Sequence, residues 1–124
     1  MLVYDNGNRR LGADGQPDLY SRVVEYQLDP EAGTISQVWE HRAEKDGTPL
    51  FAAFVGDVDR LANGNVLIVD GGLNGGGEFP DLSARIVEVL PADGSGGDEV
   101  WTLEVQGGPG WVVYRAERLD SVYG

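Results

Sequence analysis

An all-β fold built from repeated four-stranded units is what this chain predicts, on three observations. The first is composition: 19 glycines are spread through 124 residues with few helix-favouring runs, which suits strands joined by tight turns. The second is periodicity, since no window carries a 3.6-residue apolar period, whereas short apolar runs are bounded by Gly, Asn, Asp and Pro. The third is self-similarity. Ser21-Arg22-Val23-Val24-Glu25-Tyr26 followed by Val38-Trp39-Glu40 returns as Ala84-Arg85-Ile86-Val87-Glu88-Val89 followed by Val100-Trp101-Thr102, offset by 63 residues at the arginines and 62 at the tryptophans. Leu2-Val3-Tyr4-Asp5-Asn6-Gly7 echoes Leu67-Ile68-Val69-Asp70-Gly71-Gly72 at offset 65, and Asp57-Val58-Asp59-Arg60-Leu61 echoes the stretch ending Arg115-Ala116-Glu117-Arg118-Leu119 at offset 58. Repeats of this length mark one supersecondary unit used more than once, and such a unit cannot bury its own apolar faces alone.

The repeats unpack into strands. Leu2–Asp5, Arg22–Leu28 and Thr34–Arg42 come first, the last two joined by the turn Asp29-Pro30-Glu31-Ala32-Gly33. Asp57–Leu61 and Asn65–Val69 form a hairpin about Asn63-Gly64, expected as a type I′ turn with φ > 0 at both positions. Val66-Leu67-Ile68-Val69 does not alternate, which suits a strand covered on both faces. The glycine-rich run from Gly71 to Gly77, followed by Phe79-Pro80, reads as a loop. Arg85–Leu90 and Glu99–Val105 follow, joined through Pro91–Gly97. Four antiparallel strands in succession, A-B-C-D, are the sheet unit of a β-propeller blade.

On that lettering the chain runs B-C-D, then A-B-C-D, then A. This makes one domain over residues 1–124, with blade-like repeats over 1–50 and 54–106 and a closing A strand over 112–119. The closing strand, Val112–Leu119, is expected to pair with Leu2–Asp5, within one chain or between copies, because a bare apolar edge invites aggregation. Two blades cannot make a ring, since rings take about four to eight. The chain therefore reads as part of a larger propeller, or of a homo-oligomer that completes one. A small sandwich or open barrel competes, because strand spacing alone does not separate it from blades; the recurring Arg-[Val/Ile]-Val-Glu and Val-Trp pair favours blades.

With 21 acidic and 9 basic residues the net charge is −12, which argues against a nucleic-acid partner and for a solvated acidic surface. Cysteine is absent, so no disulfide or thiolate zinc site can form. No apolar stretch approaches the roughly 18–20 residues of a membrane span, and the first residues do not read as a signal peptide. No Ser/His/Asp, Cys/His or HExxH arrangement occurs, and no phosphate-cradling glycine motif stands between a strand and a helix. The expectation is a chain without cofactor, without metal and without a membrane segment.

Among candidate residues, the loop Asp5-Asn6-Gly7-Asn8-Arg9-Arg10 directly follows a B strand. Two guanidiniums beside amide side chains suit an oxyanion, because the planar forks bind sulfate or phosphate bidentately. Asn6, Arg9 and Arg10 are thus the candidate oxyanion-binding residues; the alternative is a surface loop in which Asn and Gly serve the turn. Arg22 and Arg85 recur with Glu25 and Glu88 and read as a structural ion pair repeated per unit. Trp39 and Trp101 read as core between units, with Trp111 outside the pattern. Asp57 and Asp59 share a strand face, but two carboxylates without further ligands are a weak metal signal. Asp93–Asp98 reads as a plain turn. His41, the only histidine, lies in a polar run and is expected at a solvent-exposed outer edge.

Taken together, Asp5–Arg10, Tyr20–Tyr26, Gln37–Glu40, Gly56–Asn65 and Tyr114–Leu119 resemble the later blades of bacterial arylsulfate sulfotransferases, and the resemblance covers nearly the whole chain. It implies a six-bladed propeller of several hundred residues in the complete proteins. It also implies a periplasmic or exported setting, and sulfuryl transfer from an aryl sulfate to a phenol through a sulfated histidine, without a nucleotide donor. The chemical logic is covalent catalysis by imidazole with cationic donors on the sulfuryl oxygens. In the family pattern the nucleophilic histidine precedes the tyrosine of a Tyr-Arg-Ala motif; here that tyrosine is Tyr114 and the preceding residue is Val113. The arginine of the Asp-Asn-Gly loop carries over as Arg10, with Arg9 beside it. The resemblance thus implies an aryl sulfate or other oxyanion ligand and an isolated chain that is catalytically silent. The rivals are an assembled ring using another mechanism and a non-catalytic binding or interaction module.

Overall fold

The computed structural model describes residues 1–74 and 81–120. The far end of the glycine-rich stretch, Gly75 to Pro80, lies outside them. The described residues form antiparallel β-sheets with no α-helix. The first sheet has the order β1-β2-β3: β1 (Leu2–Asp5), β2 (Arg22–Asp29) and β3 (Thr34–His41). A two-stranded hairpin follows, β4 (Glu44–Lys45) with β5 (Thr48–Pro49). The second sheet is a four-stranded meander of β6 (Asp57–Arg60), β7 (Val66–Leu73), β8 (Ser83–Pro91) and β9 (Gly97–Val105).

The repetition extends to a defect. β2 and β3 slip register between Glu25 and Tyr26, leaving Val38 without an opposite residue; β8 and β9 slip at the equivalent place, between Glu88 and Val89, leaving Val100 unopposed. Each is a bulge that increases local twist and fixes which side the adjacent tryptophan takes. Leu2, Tyr4, Val23, Glu25, Trp39 and His41 therefore share the face turned to the second sheet.

The core lies between the sheets. Val23 and Trp39 of the first meet Val66, Ile68, Val87 and Val89 of the second, with Leu2, Tyr4 and Val58 packed around them. Polar contacts pin the same junction: Trp39 Nε1 donates to Gly96 O (2.9 Å), Gly96 N donates to Glu40 O (2.8 Å), and Arg60 reaches Glu25 (2.6 Å).

Several expectations need correction. The turn at Asn63-Gly64 is a three-residue loop, not a type I′ turn. Gly64 N bonds Leu61 O (2.9 Å), Leu61 N bonds Asn65 O (2.9 Å), and only Gly64 takes a positive φ (+88°). Two positive-φ residues do close the β4-β5 hairpin, at Asp46 (+53°) and Gly47 (+75°), inside the run that reads as merely polar. β7 continues through Gly71 and Gly72 to Leu73, into the stretch expected as loop. There the missing side chains are required, because a Cβ on Gly72 would meet Phe54 O and one on Gly71 would run into Val113 O.

The segment Val112–Leu119, expected as a strand against Leu2–Asp5 within one chain or between copies, forms no strand within the chain, where among the described residues β1 pairs with β2 alone. It lies instead along the far side of the second sheet. Trp111 N is bound to Leu82 O (2.9 Å) and Val113 N to Gly71 O (3.1 Å), and Arg118 pairs with Glu88. Sheet and segment border a cleft of about 580 Å³, lined by Leu67, Ile86, Trp101 and Leu103 from the sheet and by Ala116, Glu117 and Arg118 from the segment. Trp101 consequently departs from its expected core role: it is 49% exposed where Trp39 is 4% exposed.

Candidate functional site

The loop after β1 is built on one carboxylate. Asp5 Oδ1 accepts the Gly7 amide (3.0 Å), and Oδ2 accepts from Arg10 (2.5 Å) and Arg22 Nε (3.0 Å). Gly7, at φ +79°, lets the chain turn against the carbonyl of Tyr20, which a Cβ would strike. Arg10 donates to that same carbonyl (2.6 Å) and lies over the Tyr20 ring at 3.8 Å from its centroid. Arg42 stands over the ring too, at 4.5 Å. Arg22 continues from Asp5 to Glu40 (2.9 Å), and Glu40 also receives Arg42 (2.8 Å). Three guanidiniums, from Arg10, Arg22 and Arg42, thus converge on two carboxylates, leaving local positive charge on an acidic chain.

The three candidate residues divide. Arg10 belongs to this cluster. Asn6 spends its amide on the backbone, donating to Ala52 O (2.7 Å) and Val55 O (3.0 Å), and so staples the loop to the segment before β6. Arg9 is exposed on the turn. Val55 takes φ +54°, an unfavourable backbone for a β-branched residue, and the Asn6 bond holds it there. By the 58-residue offset Val55 is the counterpart of Val113. Tyr20, Glu40 and Arg42 escape sequence reading, although Tyr20 directly precedes the repeated motif.

The ion pairing departs from the expected Arg22–Glu25 and Arg85–Glu88 pattern. Positions three apart on a strand point to opposite faces, so each arginine meets other acids. Arg22 takes Asp5 and Glu40, and Arg85 takes Glu99 and Asp70, while Glu25 and Glu88 receive Arg60 and Arg118. Asp57 faces Arg115 across 3.9 Å, and no group of three or more metal-ligating side chains occurs among the described residues.

Electrostatics follow from burial and partners. Burial opposes ionisation of Asp5 and Glu40, yet the Arg22 hydrogen bonds, with Arg10 and Arg42 nearby, hold both carboxyls below their usual range. His41 is not exposed: it is buried between the sheets, stacked 6.0 Å from Trp39, with Tyr4, Ser21 and Asp70 around it. The bulge brings it there by setting the facing of Trp39 and His41 together. Neither imidazole nitrogen has a hydrogen-bond partner among the described residues; Glu99 lies 3.8 Å from Nε2. Desolvation, then Arg85, push its basicity down against the pull of Glu99. Asp70 accepts the Tyr4 hydroxyl (2.7 Å) on one oxygen, and its burial raises its pKa.

The family model described as Arylsulfotransferase (ASST) matches residues 1–115. The chain is similar to the arylsulfate sulfotransferase AssT of Escherichia coli O6:H1, with 34% identity over 74 residues, covering 58% of this chain and 12% of that protein. No solved structure matches. With nearly its full length matched by the family model, the chain belongs to the arylsulfotransferase family.

Proposed function

We propose that the two sheets are neighbouring blades of an arylsulfotransferase-type propeller, and that the Arg10 cluster receives the sulfate end of an aryl sulfate or a similar oxyanion. On this reading the isolated chain binds the anion but does not transfer the sulfuryl group. The reading is carried by the convergence of Arg10, Arg22 and Arg42 around Tyr20 on an otherwise acidic chain. Arg10 already bonds Asp5 and Tyr20, so it offers its remaining N–H groups to an anion, while Arg9 closes from the turn.

Silence follows from two positions. Val113 stands where the family motif carries its nucleophile, and an isopropyl group cannot accept a sulfuryl group. His41 does not substitute, because its imidazole is sealed between the sheets. The family's exported setting is the compartment this reading implies. Calorimetric titration with sulfate and with 4-nitrophenyl sulfate tests it: weak binding is expected, lost in Arg10→Ala, with no phenolate released on addition of a phenol. Turnover by the purified chain that vanishes in His41→Ala would show that the chain is active alone and that its buried imidazole reaches the substrate. A second reading, a non-catalytic interaction module, is favoured by one observation, the exposed apolar face around Trp101.

A further inference from the structure

We infer that the far face of the second sheet, carrying Leu67, Ile86, Trp101 and Leu103, is the seat of the first sheet of a second copy, so that copies join head to tail into a closed ring. The inference rests on the blade reading and deepens it. Its template is the junction inside the chain. There the first sheet offers Trp39 to the carbonyl of Gly96 and Glu25 to Arg60 of β6. The second sheet repeats this donor side on its far face: Trp101 stands at the position of Trp39, and Glu88 at that of Glu25.

Half of the repeated junction is already assembled. Arg118, the counterpart of Arg60, is on Glu88, and Val113, the counterpart of Val55, is at the end of β7 where Val55 is at the end of β1. The C-terminal segment therefore occupies the place that β6 holds at the junction inside the chain. The first sheet offers the complementary edge: among the described residues β1 pairs only with β2. Within the chain β6 lies on β7 with Val58 opposite Ile68. Carried over by the repeat offsets, Ala116 of one copy falls opposite Val3 of the next. Gly33, the counterpart of Gly96 and likewise at positive φ, offers its carbonyl to Trp101.

A head-to-tail contact of this kind closes when the rotation per copy divides the circle. Rings of about four to eight blades then need two to four copies, each of 13.3 kDa. Copies of net charge −12 repel, so assembly strengthens as salt screens them.

Light scattering after size exclusion, at low and high salt, should give one species of two to four chain masses, with the larger fraction assembled at high salt. Trp101→Glu should return it to monomer with an unchanged β circular dichroism spectrum. Because the chain has no cysteine, Val3→Cys and Ala116→Cys can be mixed as separate variants. Oxidation should then give a mixed disulfide dimer at least tenfold above either variant alone. A monomer at all salts, or a multimer with neither Trp101 dependence nor the mixed disulfide, overturns the inference. Acrylamide quenching separates that failure from failure of the blade reading. Quenching measured as the loss on Trp39→Phe should show Trp39 protected in any form; a monomer with Trp39 protected refutes the ring alone, and one with Trp39 freely quenched refutes the packed blade pair as well.

Discussion

The same acid–arginine pair occurs twice in this molecule and behaves in opposite ways. Asp5 with Arg22 lies on the outer face of the first sheet; Asp70 with Arg85, their counterparts, lies between the sheets. Outside, Arg22 spans two carboxylates at hydrogen-bonding distance, and both acids are held ionised. Inside, Arg85 stands 3.8 Å from Asp70, each with a buried unpartnered atom, and Asp70 shifts toward its neutral form. Covering a charged pair with a second sheet removes the water that made it inexpensive. The partner gained by Asp70 in exchange, the Tyr4 hydroxyl, satisfies only part of the demand.

Breaking the inner pair should have the largest effect. Arg85→Met leaves Asp70 and Glu99 without their cation and is expected to cost about 3–5 kcal/mol in urea unfolding at pH 8. The loss should shrink as pH falls, because Asp70, its pKa raised by burial, takes up a proton before an ordinary aspartate would. An effect equal to that of Arg22→Met would erase the distinction between the two pairs.

A smaller effect comes from His41. Its folded pKa lies below the ordinary 6.5, so below that pH the unfolded chain binds a proton that the folded chain refuses. Stability should therefore fall as pH drops through about 6.5 and continue falling toward the depressed folded value. His41→Phe should flatten that limb of a stability-versus-pH curve; an unchanged limb would mean that the imidazole is hydrated. Asp5 and Glu40 contribute stability above the usual carboxylate range and lose it as pH falls through their lowered folded values. That second decline should come at lower pH than the histidine one.

The smallest effect belongs to the outer pair. Arg22→Met should cost only about 1 kcal/mol in the same urea titration, because solvent reaches its partners and Arg10 still neutralises Asp5. A loss comparable to that of Arg85→Met would show the outer cluster to be as desolvated as the inner one.

The strands are legible in the sequence because repetition marks boundaries twice over: β1 falls on Leu2–Asp5 as expected, and the two bulges fall at matching positions. Partner choice is less legible. A repeated Arg-X-X-Glu spacing invites a pair, but strand alternation sends the two side chains to opposite sides, and only the register shows that Asp5 and Asp70 lie beside the arginines. The burial of His41 is hidden because local polarity says nothing of a second sheet that folds over it. The type of the Asn63-Gly64 turn is hidden too, since a third loop residue moves the positive φ onto Gly64 alone. Of the candidate site, the loop and Arg10 are visible in sequence. Arg42 and Tyr20 are not, because their stacking depends on β3 ending beside the loop that follows β1.

The bulges at Val38 and Val100 bear on where the two sheets can tolerate a change of length. Each is a residue with no opposite number, flanked by neighbours whose partners are already correct on both sides. Deleting it would turn a bulged ladder into a regular one without sending any other side chain to the wrong face, whereas a deletion elsewhere in β3 or β9 would invert every residue beyond it. Among related chains, single-residue differences in the length of these two strands should therefore collect at these two positions. Both sheets carry the extra residue at the same place, so the local twist recurs along with the sequence pattern.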